Sequence, residues 1–143
     1  MLTSQELTIL LRDNGYKVTP QRIAVYEALA EDPCHPTAEV LYKKLQAKYP
    51  AMSFATVYKT VEILEAIKAI QIINAGENSY RYDANVDEHY HLVCTECGCI
   101  TDVQIDDALL EQLTNVAIGD SGFEITRRQF YFYGLCSKCR KLH

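Results

Sequence analysis

The chain has 143 residues and a mass of 16.3 kDa, with 48% hydrophobic and 23% charged residues. That length suits one domain or two small ones and excludes a large multidomain catalyst, while the composition excludes a disordered chain, which needs low hydrophobicity and high charge. The net charge of −5 argues against a general nucleic-acid coat, but residues 1–83 hold nine Lys+Arg against ten Asp+Glu and residues 84–143 five against nine, so the first part can still present a basic face.

In chain order, Leu7, Leu10 and Leu11 give helical spacing before Gly15. Thr19-Pro20 then reads as an N-cap with proline at the first helical position, opening a helix through Ile23, Val25, Tyr26 and Leu29 to a break at Asp32-Pro33. Thr37 is expected to cap a third helix through Val40, Leu41 and Leu45. Ser53 is expected to cap a fourth, with Phe54, Val57, Val61 and Leu64 on one buried stripe and Ala55, Tyr58, Lys59 and Glu62 nearer solvent. Ile70 to Ile73 and Ser79 to Tyr82 flank Ala75-Gly76-Glu77-Asn78 and read as a β-hairpin. Helices followed by a hairpin predict a winged helix-turn-helix over 1–83. A polar hinge is placed at 84–88. Beyond it, 89–143 is expected to be a small α+β unit: strands at Tyr90 to Val93 and Ile100 to Ile105, a helix from Asp106 to Ala117, and a long strand from Phe123 to Tyr133. The fold class is therefore α+β.

No apolar run reaches the ~18 residues of a membrane span. Glu6, Arg12 and Asp13 also interrupt the start, where an export signal needs an unbroken apolar core, so a cytoplasmic protein with no membrane partner is expected. In reducing cytosol, six cysteines favour metal ligation or redox chemistry over a disulfide framework. Cys94-Thr-Glu-Cys97 and Cys136-Ser-Lys-Cys139 form two CxxC knuckles, and four converging thiolates close a tetrahedral structural zinc site. A thioredoxin-like role would need a helix amino terminus after a βαβ strand, which neither pair has. Cys34 and Cys99 are left over and read as small buried residues.

His89-Tyr-His91 sets two imidazoles on one face of a strand. With Asp102, and with Asp83 and His35 elsewhere in the chain, nitrogen and carboxylate donors suit iron, manganese, nickel or zinc; an exposed polar strand is the competing interpretation. In the fourth helix, Ala55, Thr56 and Tyr58 stand where a recognition helix meets thymine methyls, and Lys59 where it meets phosphate. Lys17, Arg22, Lys43 and Lys44 supply further candidate phosphate contacts.

Gly15-Tyr-Lys-Val-Thr-Pro-Gln-Arg22, His35-Pro-Thr-Ala-Glu39, Ser53-Phe-Ala-Thr-Val-Tyr58, Tyr80-Arg-Tyr-Asp83, His89-Tyr-His91, Cys94-Thr-Glu-Cys97-Gly98, Asp102 and Cys136-Ser-Lys-Cys139 together resemble the ferric uptake regulator family over essentially the whole chain. The resemblance implies a homodimeric repressor, not an enzyme, that binds AT-rich inverted repeats in double-stranded DNA when its regulatory metal is bound. It implies a regulatory site for Fe(II) or Mn(II) at His35, Asp83, His89, His91 and Asp102. Asp102, where iron-uptake members typically have Glu, implies the peroxide-sensing branch, in which Fe(II) reduces peroxide and a ligand histidine, His35 or His89, is oxidised. The alternative is a regulator of iron, manganese, zinc or nickel uptake that responds to occupancy alone. A metal-dependent hydrolase is the remote alternative, with no general base beside the ligand set. The chain departs from the family pattern at Arg127-Arg128, where many members carry a histidine of a further metal site, and at Ile67, where a glycine commonly ends the recognition helix.

Overall fold

The computed structural model describes residues 1–76 and 80–143, which form two compact units, Met1–Asp87 and Glu88–His143. The division falls within the polar 84–88 segment.

In the first unit each helix is opened by a side-chain cap. At α1 (Ser4–Asp13) the Thr3 hydroxyl accepts from the Glu6 N–H while the Glu6 carboxylate accepts from the Thr3 N–H, a closed capping box. Thr19 caps α2 (Pro20–Glu31), Thr37 caps α3 (Ala38–Gln46) and Ser53 caps α4 (Phe54–Ala66), each accepting from a backbone N–H three residues on. Leu7, Leu11, Val25, Leu29, Leu41, Val57, Val61 and Leu64 are all at most 2% exposed and form the core between these helices. Phe54 departs from the expected stripe: it is 38% exposed and stands edge-on to Tyr42 at 5.8 Å. Helical side chains lean toward the amino terminus, so a residue at the first position projects past the packed turn.

The carboxy end of α4 is closed without glycine. Lys68 adopts φ 59°, the Lys68 N–H donates to the Glu65 carbonyl, and the Ala69 N–H donates to the Leu64 carbonyl. The hairpin follows as β1 (Gln71–Ile73) antiparallel to β2 (Arg81–Asp83), with Ile72 opposite Tyr82. The second strand thus starts at Arg81 and takes in Asp83; the expected start at Ser79 and the loop residues Glu77 and Asn78 lie outside the described residues. A bridge between Thr37 and Arg81, and the Tyr82 N–H donating to the Pro36 carbonyl, tie β2 to the start of α3.

The second unit contains β3 (Tyr90–Cys94), β4 (Ile100–Val103), α5 (Asp107–Ile118), β5 (Tyr131–Gly134) and α6 (Ser137–Arg140). Its sheet has the order β4-β3-β5, with β3 antiparallel to β4 and parallel to β5. Asp106 is the cap of α5 rather than its first residue. Two strands are shorter than expected. β4 stops at Val103, where its pairing with Tyr90 ends. The long strand expected from Phe123 reduces to Tyr131–Gly134, because backbone groups join a ladder only where a partner strand exists. Here β3 offers only His91 to Cys94. The turn α6, unforeseen in the sequence, is capped by Cys136. Among the described residues no helix is long and apolar enough to cross a membrane.

Candidate metal centres and nucleic-acid interface

The four knuckle cysteines meet in the second unit. Cys94 ends β3, and the turn that follows returns the Gly98 N–H to the Cys94 carbonyl at 2.9 Å, with Gly98 at φ 73° where an L side chain would be strained. The parallel ladder sets Cys94 beside Gly134, two residues before Cys136. All four sulfur atoms lie within 4.8 Å of one another. Backbone N–H groups of Cys136 and Cys97 point at the Cys94 sulfur and hold its thiol down at about 6, and the Cys139 N–H lowers Cys136. The Cys139 thiol is pushed the other way, to about 12, by its hydrogen bond with Cys136. Neighbouring sulfurs cannot all ionise together without a cation among them. Four convergent thiolate donors with no oxygen ligand fit structural zinc.

The second donor set is made of histidines and aspartates, some in each unit. In the second unit the ladder places His91 directly opposite Asp102. His89 Nε2 and His91 Nε2 lie 3.2 and 3.4 Å from the same oxygen, Asp102 Oδ1. The two imidazoles stand 4.7 Å apart, and His91 stacks on Tyr131 at 5.8 Å. Both histidines are buried, while the Asp102 side chain is 39% exposed. In the first unit His35 and Asp83 are both buried, with Nδ1 3.6 Å from Oδ1. His35 has φ 51°, uncommon for a residue with a side chain and held here before a proline. Around it, the Arg81 guanidinium donates to the carbonyls of Cys34 and His35, and the Asp32 carboxylate accepts from the Cys34 N–H. Asp83 accepts from the Asn85 N–H at 2.8 Å. Imidazole and carboxylate donors in each unit fit a borderline or hard divalent ion rather than a thiophilic one.

The helix α4 exposes Ala55, Tyr58 and Lys59, and Tyr58 is 44% exposed. Thr56 is half-buried, and its hydroxyl sits 2.9 Å from that of Ser53. A polar cleft of ≈ 240 Å³ is lined by Thr19, Gln21, Arg22, Thr56, Lys59 and Thr60, and so joins Arg22 to α4. Lys17 lies outside that lining but is exposed, and its carbonyl accepts from Arg22 Nη1 at 2.6 Å. The Lys44 ammonium pairs with Asp32, its side chain half exposed. Cys34 and Cys99 are half-buried rather than buried.

The sequence assigns no role to Gln21, which lines the cleft, to Arg81, which stands behind His35, or to the pairing of Glu88 with Arg128 next to His89. Arg128 holds the Glu88 carboxylate below its usual range, and burial together with the hydrogen bond to Glu88 pushes the Tyr90 hydroxyl up to about 12. Charged residues in an irregular stretch carry no periodicity to betray such partners.

Comparison with known proteins bears on this arrangement. The family model described as "Ferric uptake regulator family" matches residues 13–133. The peroxide operon regulator of Bacillus subtilis (strain 168) is 34% identical over 131 residues, 92% of this chain and 89% of that protein. A ferric uptake regulator from Vibrio cholerae superposes with a TM-score of 0.76 at 27% identity, covering 91% of this chain and 99% of that one. PerR from Streptococcus pyogenes, whose structure is described as a basis for peroxide sensing and gene regulation, superposes with a TM-score of 0.54 at 28% identity over 96% and 94% of the two chains.

Proposed function

The chain belongs to the ferric uptake regulator family, and we propose that it is a metal-dependent repressor that senses peroxide through histidine oxidation. The observation that carries the peroxide reading is the convergence of His89 and His91 on one oxygen of an aspartate, Asp102, together with similarity to a peroxide operon regulator. Cys94, Cys97, Cys136 and Cys139 hold structural zinc. His35 and Asp83 of the first unit and His89, His91 and Asp102 of the second are the ligands of one regulatory ion, Fe(II) or Mn(II). Two carboxylates balance a divalent charge, and five protein donors leave room for a small oxidant.

A site that draws ligands from two units is linked to whatever arrangement of those units completes it, so metal affinity and DNA affinity strengthen each other reciprocally. Held there, Fe(II) would promote the two-electron reduction of peroxide at the expense of an adjacent imidazole: the O–O bond breaks, one oxygen is added at a ring carbon, and the other leaves as water with the displaced hydrogen. His35 and His89 are the imidazoles that take up the oxygen, and a modified ring no longer serves as a ligand, which releases the DNA-competent arrangement.

The partner is double-stranded DNA. A two-fold dimer reads an AT-rich inverted repeat, with Tyr58, Ala55 and Thr56 at base edges and Lys17, Arg22 and Lys59 at phosphates. The apolar exposure of Leu109, Leu113 and Val116 on α5 and of Phe132 and Leu135 around β5 supports a homodimer built on the second unit. A cytoplasmic, non-enzymatic role follows from this reading.

The experiment is operator binding by iron-loaded and manganese-loaded protein, each with and without substoichiometric peroxide, with zinc measured in the same samples. The iron form is expected to lose operator affinity and to gain one oxygen atom on peptides containing His35 or His89, while the manganese form resists both. Release that tracks zinc loss with both histidines unmodified, or an iron form indifferent to peroxide, would replace this reading by a regulator of metal uptake.

A further inference from the structure

Of the two histidines that share Asp102, the sheet holds only one directly. His91 is paired with Asp102 across the β3–β4 ladder, whereas the first ladder pair is Tyr90 with Val103, so His89 lies one residue ahead of it. What secures that stretch is side-chain chemistry. Arg128 Nε donates to Glu88 Oε1 at 2.8 Å and Nη2 to Oε2 at 3.0 Å, two parallel charge-assisted bonds. Arg128 Nη1 also reaches the Thr114 hydroxyl of α5 at 3.3 Å, and the Tyr90 hydroxyl donates to the same Glu88 carboxylate. His89 is therefore flanked on both sides by residues whose side chains meet at one guanidinium-bound carboxylate.

Within β3, Tyr90 and His91 project from opposite faces, while Glu88 lies in the bend just ahead of the strand; its carboxylate, bonded to both the Tyr90 hydroxyl and Arg128, ties that bend, and with it His89, to the face of β3 opposite His91. We propose that Arg128, by holding Glu88, is a positioning residue that keeps His89 in ligating geometry and thereby sets the affinity and peroxide reactivity of the regulatory site. This rests on His89 being a ligand, as the functional reading above requires. The pair is half-exposed, with side-chain accessibilities of 28% for Arg128 and 47% for Glu88. Solvent screening at this exposure limits what the pair adds to global stability, so the positioning role is read in metal binding and in the site of oxidation, which melting does not report. Groups that hydrogen-bond a metal ligand are worth about 10–100-fold in metal affinity; Arg128 acts one residue further out, through Glu88, which sets its effect at the low end of that range.

The test uses zinc-loaded dimers of the full chain, with Mn(II) affinity read by competition against a fluorescent chelator. Arg128→Gln is expected to weaken Mn(II) binding by about tenfold while zinc content and dimer are kept. Arg128→Lys, which keeps the charge but loses the fork, is expected to fall in between and carries the comparison if the glutamine variant folds poorly. The exchanged pair Glu88→Arg with Arg128→Glu is expected to recover part of the loss. In the iron form treated with peroxide, oxygen addition at His89 relative to His35 is expected to fall in the Arg128 variants, which a merely stabilising role would not produce. Wild-type Mn(II) affinity and a wild-type His89 to His35 ratio in both single variants overturn the positioning role alone. If unaltered protein binds no Mn(II) beyond the zinc site, or if His89→Ala binds it undiminished, the regulatory-site reading fails and this inference fails with it.

Discussion

Replacing Cys97 by serine is expected to unfold the second unit and leave the first standing. Among the described residues, the apolar side chains buried in Glu88–His143 are Tyr90, Val93, Cys94, Ile100, Leu110 and Cys139, and two of those six are zinc-ligand candidates. The core cluster of the first unit has nineteen buried members. At about 1.5–3 kcal/mol per large buried side chain, the four non-cysteine residues contribute roughly 6–12 kcal/mol. A four-ligand structural zinc contributes about 10–16 kcal/mol near neutral pH, so the ion outweighs the apolar core it sits beside. Removing one thiolate also leaves three sulfurs crowded without their counter-charge. The assay combines zinc content, size-exclusion light scattering and limited proteolysis. The variant is expected to lose zinc and dimer and to be cut beyond Asp87, while a fragment near Met1–Asp87 persists with its helical signal. A Cys97→Ser protein that stays dimeric, resists protease throughout and binds operator as the unaltered chain does would refute the reasoning.

Tyr58→Ala should weaken operator binding more than binding to random duplex, whereas Lys59→Ala should lower both alike and reduce the salt slope by about one; filter binding across a salt series separates the two, and equal losses for Tyr58→Ala would contradict base reading. Zinc should be lost to a mild chelator more readily at about pH 5 than at about pH 7.5, because all four thiols must give up their protons to hold it; zinc content after dialysis at the two pH values measures this, and equal retention at both would contradict thiolate ligation.

The features legible in the sequence are those set by short-range chemistry. Thr19, Thr37 and Ser53 are readable as caps because a hydroxyl three residues before an orphan N–H acts locally. The knuckles are readable because CxxC spacing by itself turns two sulfurs to one side, and His89 and His91 because strand alternation sends them the same way. What escaped depends on partners distant in the chain. Phe123 to Phe130 has the look of a strand but finds no ladder, and whether an apolar run becomes a strand is decided by its neighbour. Arg81 and Arg128 are ordinary surface cations by sequence; only the fold shows that one holds the carbonyls before Pro36 and the other the carboxylate before His89. Lys68 in a left-handed conformation likewise shows a helix stop where the expected glycine is missing, because the Leu64 and Glu65 carbonyls still find their donors.

One strand links the two metal chemistries of the second unit. β3 carries His91 near its start and Cys94 at its end, about 10 Å along at some 3.3 Å per residue, with His89 just ahead of it. β5 runs beside it in parallel, His91 opposite Tyr131 and Cys94 opposite Gly134, and leads within two residues into the second knuckle. Zinc at the far end therefore keeps β5 against β3, and that pairing keeps the ring of Tyr131 stacked on His91. Loss of zinc should loosen the imidazoles without touching them chemically, so oxidation of the thiolates and oxidation of a histidine converge on the same released state by different routes. Ligand softness keeps the routes separable: thiolates retain zinc, while imidazole and carboxylate donors take Fe(II) or Mn(II). Metal exchange at the regulatory ligands should thus change the response to peroxide while zinc, and the β3–β5 pairing that depends on it, stay in place.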